Sequence, residues 1–254
     1  MKTFDYLMDV RARKGAGFLL LLDPDKLADE NLGKNLKQAE EAGVDAFLVG
    51  SSLMTRDVFE QTVGHIKKYA DVPVIIFPGS LFQISGQADA ILFLSVLASR
   101  NADLIVGNHV HAAPLIRQHD LETISTAYLL VESGKLTSAH FMSDSLPIPR
   151  DKPEIAAAYS LAAGMFGFQL VYLEAGSGAT EHVPKEMVYV VSKTVEMPVI
   201  VGGGIKDADV AHELVSAGAS FIVTGNYFEN KGNMNKLNEF ARAIHFRQPV
   251  PTIV

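Results

Sequence analysis

The sequence predicts an α/β fold, a single closed barrel of eight parallel strands that lacks one of its outer helices. Three observations carry this. Short apolar runs recur about every thirty residues, and most are continuous rather than alternating, which marks strands buried on both faces and hence a parallel sheet. Helical patterns fill most of the gaps. One gap, between Phe77 and Ala90, holds only PGSLFQISGQAD and has too little room for a crossover helix.

The strands are expected in order at Phe18–Leu22, Ala46–Val49, Val74–Phe77, Ala90–Leu94, Tyr128–Val131, Leu170–Leu173, Val199–Val201 and Phe221–Thr224. Between the first two, Leu32, Leu36 and Ala39 recur at helical spacing, and Gly43 stops the helix. After the fourth strand His109 and His111 fall on an expected helix. Positions i and i+2 do not share a helix face, so the pair reads as packing or surface rather than as a metal site. The stretch from Glu132 to Gln169 is long, polar and turn-rich before a helix from about Pro153 to Met165, which suits a binding loop on the barrel's active face. Asp207 stands at an N-cap position, and Gly218 follows the helix it opens. A faint internal repeat, VPVIIFPGS from Val72 against MPVIVGGGI from Met197, is offset by about 125 residues, as two halves of four βα units would be. No glycine run completes the GxGxxG pattern of an open dinucleotide-binding sheet.

Length and composition agree with one domain spanning residues 1–254. Barrels of about 250 residues are common as single domains, and 48% hydrophobic with 20% charged residues is an ordinary globular balance. The chain has no cysteine, which excludes a disulfide scaffold, a thiol nucleophile and a thiolate zinc site. That composition fits a cytoplasmic location. The apolar runs fall far short of the ~20 residues of a membrane helix, and the N-terminus lacks the apolar core of a signal peptide. A net charge of −7 disfavours nucleic acid as a partner. An anionic substrate would have to be held by glycine backbone, helix N-termini or a metal ion.

Barrel chemistry sits at the C-terminal ends of the strands. The seventh strand is followed by Gly202, Gly203 and Gly204, the eighth by Gly225 and Asn226, and the sixth by Gly176, Ser177 and Gly178. These runs read either as tight turns or as a phosphate cradle built from backbone N–H groups. The first strand ends in Asp23-Pro24-Asp25-Lys26, which reads as a turn former or as a Mg²⁺ site completed by substrate oxygens. Ser51 and Ser52 end the second strand and could help to hold such an ion. Alternation places Tyr172 and Glu174 on the inward face of the sixth strand. A carboxylate there is either a general base or one half of a structural pair.

Taken together, LLLDPDK, FLVGSSLMT, VPVIIFPGS, ILFLSVLASRNADLIVGNHV, YLLVESG, LVYLEAGSGA, PVIVGGGI and FIVTGN resemble the geranylgeranylglyceryl phosphate synthase family, which includes the bacterial heptaprenylglyceryl phosphate synthases. The resemblance runs from Phe18 to Asn226. It implies a modified TIM barrel without the third helix and an Mg²⁺-dependent prenyltransferase. Such an enzyme joins sn-glycerol 1-phosphate to a polyprenyl diphosphate, with geranylgeranyl diphosphate the expected donor, in the first ether bond of ether-lipid synthesis. Asp23 and Ser52 match the family's Mg²⁺ positions. Tyr172, Leu173, Glu174, Ala175, Gly176, Ser177 and Gly178, with Gly203, Gly204, Gly225 and Asn226, match those around glycerol phosphate. Glu174, beside Tyr172, matches the residue that takes the proton from the attacking hydroxyl. Where the heptaprenyl branch carries a glycerol-phosphate-binding lysine, this chain has Leu21, so it is closer to the other branch. The prenyl tail is expected in the gap of the missing helix, against Phe77, Phe82, Ile84 and Leu94 to Ala98. Homo-oligomerisation and transient contact with a membrane surface are further expectations. The rivals are a sugar-phosphate isomerase or epimerase or an indole-glycerol-phosphate-type lyase, with Glu132 as a possible second acid/base, and a phosphate-binding barrel without activity.

Overall fold

The computed structural model describes residues 1–27, 31–225 and 231–246. Eight parallel strands close into a barrel in chain order, each paired with its sequence neighbours and the eighth with the first. They are β1 (Gly17–Leu22), β2 (Ala46–Val49), β3 (Val74–Ile76), β4 (Ala90–Val96), β5 (Glu122–Leu130), β6 (Leu170–Glu174), β7 (Val199–Gly202) and β8 (Phe221–Thr224). The helices are α1 (Thr3–Lys14), α2 (Leu32–Ala42), α3 (Phe59–Tyr69), α4 (Asn108–Gln118), α5 (Ser138–Met142), α6 (Pro153–Phe166), α7 (Lys185–Thr194), α8 (Ala208–Ser216) and α9 (Leu237–Ile244). The caps read from sequence hold: Gly43 ends α2 in the left-handed conformation, and Asp207 caps α8 by accepting from the Asp209 N–H.

Strand alternation sorts the core into two layers. Leu19, Leu48, Ile75, Leu92, Tyr128, Tyr172, Ile200 and Phe221 fill the barrel. Leu20, Phe47, Val49, Ile91, Leu129, Leu173, Val201 and Ile222 face the helices. Residues 77–89, all described, join β3 to β4 without a helix. Side chains tie that connection down instead. The Gln87 amide donates to Glu60 Oε1 on α3 at 2.6 Å, and Asp89 accepts from Lys67 Nζ of α3 and from the Val74 N–H.

One strand departs from expectation. β5 begins at Glu122, not at Tyr128, and pairs with β4 from Ala90↔Glu122 to Val96↔Tyr128. Its first residues, ETIST, are mostly polar and carry no apolar run, yet the ladder alone extends the strand through them. Val131 lies just past the strand in a bridge to Ile148.

Asp45 clasps the end of the barrel opposite the strand C-termini. Its buried carboxylate accepts from the Phe18 N–H at 2.8 Å, Lys14 Nζ at 2.5 Å and His245 Nε2 at 2.8 Å. Burial by itself would raise its pKa, but these three donors outweigh it and hold the carboxyl below its ordinary value. The unfolded chain therefore binds this proton more readily. The stabilisation is present above the unfolded carboxylate range and is lost as pH falls through the lower folded pKa. Asp45→Ala, which leaves the Phe18 N–H, Lys14 and His245 without their shared acceptor, is expected to cost about 3 kcal/mol in urea unfolding at pH 7. The variant's stability should also fall less steeply with acid than that of the parent.

Candidate active site

The catalytic end is assembled where β6 meets the loop after β7. Tyr172 and Glu174 point inward on β6. Tyr172 is fully buried, stacked on Phe77 at 5.2 Å and edge-on to Tyr128 at 5.4 Å. Glu174 is 5% exposed, and its Oε1 accepts from the Gly176 N–H at 2.6 Å. Burial raises its pKa to about 7, against the lowering pull of that N–H and of the nearby Tyr172 hydroxyl. Burial and the Glu174 charge together push both the Tyr172 and Tyr128 hydroxyls well above the ordinary tyrosine range, so both stay neutral. The Tyr172 hydroxyl and Thr224 Oγ1 are buried with no well-formed hydrogen bond among the described residues.

Glycine makes this close assembly possible. Gly203 has φ +81°, and a Cβ there would lie 2.4 Å from Glu174 Oε1 and 2.6 Å from the Gly176 nitrogen. Gly176, at φ +95°, leaves room for Thr137 Oγ1, which a Cβ would approach to 2.1 Å. Thr137 in turn caps α5 in a reciprocal pair with His140. The loops after β6 and β7 thus meet backbone to backbone beside one carboxylate, and the Thr137 side chain from the loop after β5 packs against Gly176.

A cavity of about 780 Å³ opens beside it. Asp23, Ser52, Tyr172, Glu174, Ser177, Gly178, Gly203, Gly204 and Gly225 all line it, together with Leu21, Ser51, Lys206 and Thr224. Three sequence-predicted residues stand differently. The Leu173 and Ala175 side chains face the outer core, because they alternate with Tyr172 and Glu174, and they reach the site only through their backbone. Gly176 lies behind Glu174 rather than on the cavity wall. Asn226 lies outside the described residues.

Asp23 caps its turn and also faces the cavity. Its Oδ1 caps the turn Pro24–Lys26 by accepting from the Asp25 N–H at 3.1 Å, Oδ2 lies 3.3 Å from Lys26 Nζ, and the side chain lines the cavity. Asp25 turns away and accepts from the Thr55 N–H and hydroxyl. Among the described residues no group of three or more acidic or histidine side chains could hold a metal by itself. A hard-oxygen set of one carboxylate with neighbouring serine hydroxyls suits Mg²⁺ only when substrate oxygens complete the shell.

The cavity continues along the outer face of β4 into the gap of the missing helix, between Ile84, Ile91, Phe93, Leu104, Ala112 and Ile116. Of the expected tail-binding residues Ile84 lines this gap, whereas Phe77, Leu94 and Val96 line the cavity from the barrel-interior side. Phe82 does neither, being 90% exposed, and Leu97 and Ala98 pack against the outer core instead. His109 borders the groove edge-on to Phe93 at 4.3 Å, while His111 faces away and is exposed, so the two share no site. Glu132 is exposed and outside the cavity lining, so it does not serve as a second acid/base facing Glu174. Sequence reasoning missed Thr137, Lys206, Thr224 and Gln83. The only signals for them were adjacency to glycine runs (Lys206, Thr224) and to the short connection (Gln83).

Residues 8–244 match the model of the PcrB family. The chain belongs to that family. It is 44% identical to a geranylgeranylglyceryl phosphate synthase of Spirosoma linguale over 88% of its own length and 90% of the relative's. With the synthase of Thermococcus kodakarensis it shares 43% identity over 94% of each chain. Its fold superposes on the crystal structure of (S)-3-O-geranylgeranylglyceryl phosphate synthase from Thermoplasma acidophilum in complex with sn-glycerol-1-phosphate, with a TM-score of 0.88 and 37% identity, covering 94% of this chain and 98% of the other. A tryptophan synthase alpha subunit from Legionella pneumophila shares the barrel at TM-score 0.61 but only 13% identity, a likeness of fold alone. The glycine at position 203 is required by the close approach of Glu174 and Gly176 and not by the turn alone. Gly203→Ala is expected to displace the Glu174 carboxylate and to lower stability by about 1–3 kcal/mol through strain at positive φ. Thermal unfolding checks the stability, and the pH dependence of turnover should lose its midpoint near 7.

Proposed function

We propose that this protein is a prenyltransferase that joins sn-glycerol 1-phosphate to a polyprenyl diphosphate, with geranylgeranyl diphosphate as the favoured donor. The observation that carries the reading is the position of Glu174. It is a buried carboxylate with a pKa of about 7, set between a glycine cradle suited to a phosphate and an apolar groove suited to a long hydrocarbon chain. Family membership and the activity of the relatives support it.

Backbone N–H groups of Gly178, Gly203, Gly204 and Gly225, with the Ser177 hydroxyl, would receive the glycerol phosphate, and Lys206 brings a cation to the same rim. Lys206 Nζ donates to the Ala179 carbonyl at 3.1 Å, which parks it over the loop that follows β6. It is the candidate for the charge that Leu21 does not provide. Fixing the phosphate orients the free hydroxyl toward the donor's C1, which is a gain in positioning. The hydroxyl oxygen bonds to C1 as the C1–O bond to diphosphate breaks, and Glu174 accepts the hydroxyl proton. Phe77, Tyr128 and Tyr172 pack together on the cavity wall and would favour cationic character at C1 of a donor bound beside them, as aromatic rings favour a cation. Asp23 and Ser52 are the residues that would hold Mg²⁺, which when bound neutralises the leaving diphosphate.

A large set of exposed apolar side chains rings the mouth. Leu53, Leu81 and Met142 border the cavity while remaining exposed, and Phe82, Phe141 and Leu146 stand nearby. They support transient contact with a membrane surface, where a lipid product would leave. No helix among the described residues is long and apolar enough to cross a membrane. Exposed Val106 and Val110 on or before α4, with Met165 and Phe166 on α6, support self-association. The cysteine-free composition supports a cytoplasmic setting.

The test is to incubate the protein with sn-glycerol 1-phosphate, Mg²⁺ and prenyl diphosphates of several lengths and to extract lipid-soluble phosphate. Formation of a prenylglyceryl phosphate is expected, and no product at any donor length would refute the reading. Because the base must be ionised, kcat should rise with pH through about 7 and level off above it. Glu174→Gln should lower kcat by roughly 10²–10⁴-fold while the KM for glycerol phosphate stays within a few-fold. The same variant should be more stable than the parent above pH 7. A carboxyl with a raised folded pKa binds its proton more tightly in the folded state, so its stabilising effect is lost as pH rises through that pKa.

A further inference from the structure

We infer that Gln83 is a positioning residue for the diphosphate end of the site. The inference rests on the prenyltransferase reading for its substrate and on geometry for everything else. The backbone ladder between β2 and β3 ends at Val49↔Ile76, with a last bond from the Phe77 N–H to the Val49 carbonyl. Beyond that point the two strand ends, Gly50–Ser52 and Phe77–Ser80, run on side by side into the cavity wall. In a complete βα unit a helix would pack behind them. Here none does.

Gln83, fully buried, extends the pairing past the end of the ladder. Its Oε1 accepts from both the Ser51 N–H and the Gly79 N–H, each at 3.1 Å, and its Nε2 donates to the Ser51 carbonyl at 2.7 Å. Two converging backbone donors identify the oxygen of the amide, so its orientation is settled by the network. The side chain thus pairs with Ser51 on both its N–H and its C=O, as a neighbouring strand would, and with Gly79 through the same oxygen. The loops it joins touch backbone to backbone. A Cβ on Gly50 would lie 1.8 Å from the Phe77 oxygen, and one on Gly79 would lie 2.0 Å from the Ser51 oxygen. Gly50, Ser51, Ser52, Gly79 and Ser80 all line the cavity beside Asp23, whereas Gln83 does not. Gln83 therefore acts through them. It fixes the height of Ser52 against Asp23, and it occupies the Ser51 and Gly79 groups that would otherwise be open to compete for substrate oxygens.

Gln83→Leu removes all three bonds at similar volume. Gln83→Glu keeps the acceptor but, when ionised, turns the Ser51 contact into two facing oxygens. Both variants should raise the KM for the prenyl diphosphate, and the Mg²⁺ concentration giving half-maximal rate, by at least ~10-fold, as loss of an orienting neighbour does at metal sites. The KM for glycerol phosphate, bound at the opposite side of the barrel, should stay within about twofold, a split that a general loss of stability would not produce. Amide hydrogen exchange at Ser51 and Gly79 should quicken in both. Unchanged exchange, an unchanged prenyl diphosphate KM, or equal rises in both KM values would overturn the inference. So would failure of both variants to fold, which would make Gln83 purely structural. If the parent protein makes no product, the proposed activity fails by itself, and the inference is then read from calorimetry with Mg²⁺ and inorganic pyrophosphate. Binding at least ~10-fold weaker in the variants than in the parent upholds it; equal binding, or none by the parent, overturns it.

Discussion

A carboxylate taken out of water at the end of a barrel strand costs several kcal/mol unless donors surround it, and Glu174 is left deliberately under-supplied. Among the described residues its close donor is the Gly176 N–H at 2.6 Å, with the Tyr172 hydroxyl nearby. The result is a group half-protonated near neutrality, neither locked as an anion nor quenched as an acid. The rest of the site follows from keeping it so. Gly202 and Gly203 must lack side chains, since a Cβ at either would reach Tyr172 Oη or Glu174 Oε1 at 2.4 Å. Tyr172 and Tyr128 must be neutral neighbours rather than cations. Contrast Asp45 at the opposite end of the barrel: also buried, it receives three donors and its pKa falls. The two carboxylates differ in how many donors meet them, and that difference sets the proposed base apart from a clasp.

The missing helix is the second constraint. A barrel strand normally hides its outer face under the helix that follows, and leaving one out exposes the outer face of β4 near Ile91 and Phe93. The fold responds with polar ties from the connection itself, through Gln83, Gln87 and Asp89, rather than with another apolar layer. This leaves the apolar surface available to a hydrocarbon chain. α4 frames the other side, and its small residue Ala112 keeps the groove open where a larger side chain would close it.

What could be read from sequence was whatever depends on neighbours along the chain. Buried strands announce themselves by apolar runs, and seven of the eight were placed within about two residues at each end. β5 was the exception, because a polar start such as ETIST becomes a strand only through its partner β4. The inward direction of Tyr172 and Glu174 followed from alternation, and the same alternation should have turned Leu173 and Ala175 outward. The glycine runs were legible as places of close approach, but not what approaches them. Thr137 over Gly176, and Gln83 between Ser51 and Gly79, are contacts between loops distant in sequence. Neither residue type nor spacing encodes them. Phe82 failed for a related reason: a phenylalanine in an apolar-looking loop has no period to say which way it faces.

The acidity of the chain fits this picture. With a net charge of −7 the protein as a whole repels anions, yet among the described residues its cavity lining carries Asp23 and Glu174 as acids against Lys26 and Lys206, beside a run of glycine and serine. On the proposed reading, affinity for anionic substrates would come from groups that act only at contact, chiefly backbone donors with Lys206 and a bound Mg²⁺, and not from a long-range field. Such a site does not gather anions of every kind. It rewards the one whose oxygens match the N–H groups presented at the strand ends, and it makes that match depend on backbone placement. Mutations that shift the loops should therefore weaken binding more than mutations that change the surface charge.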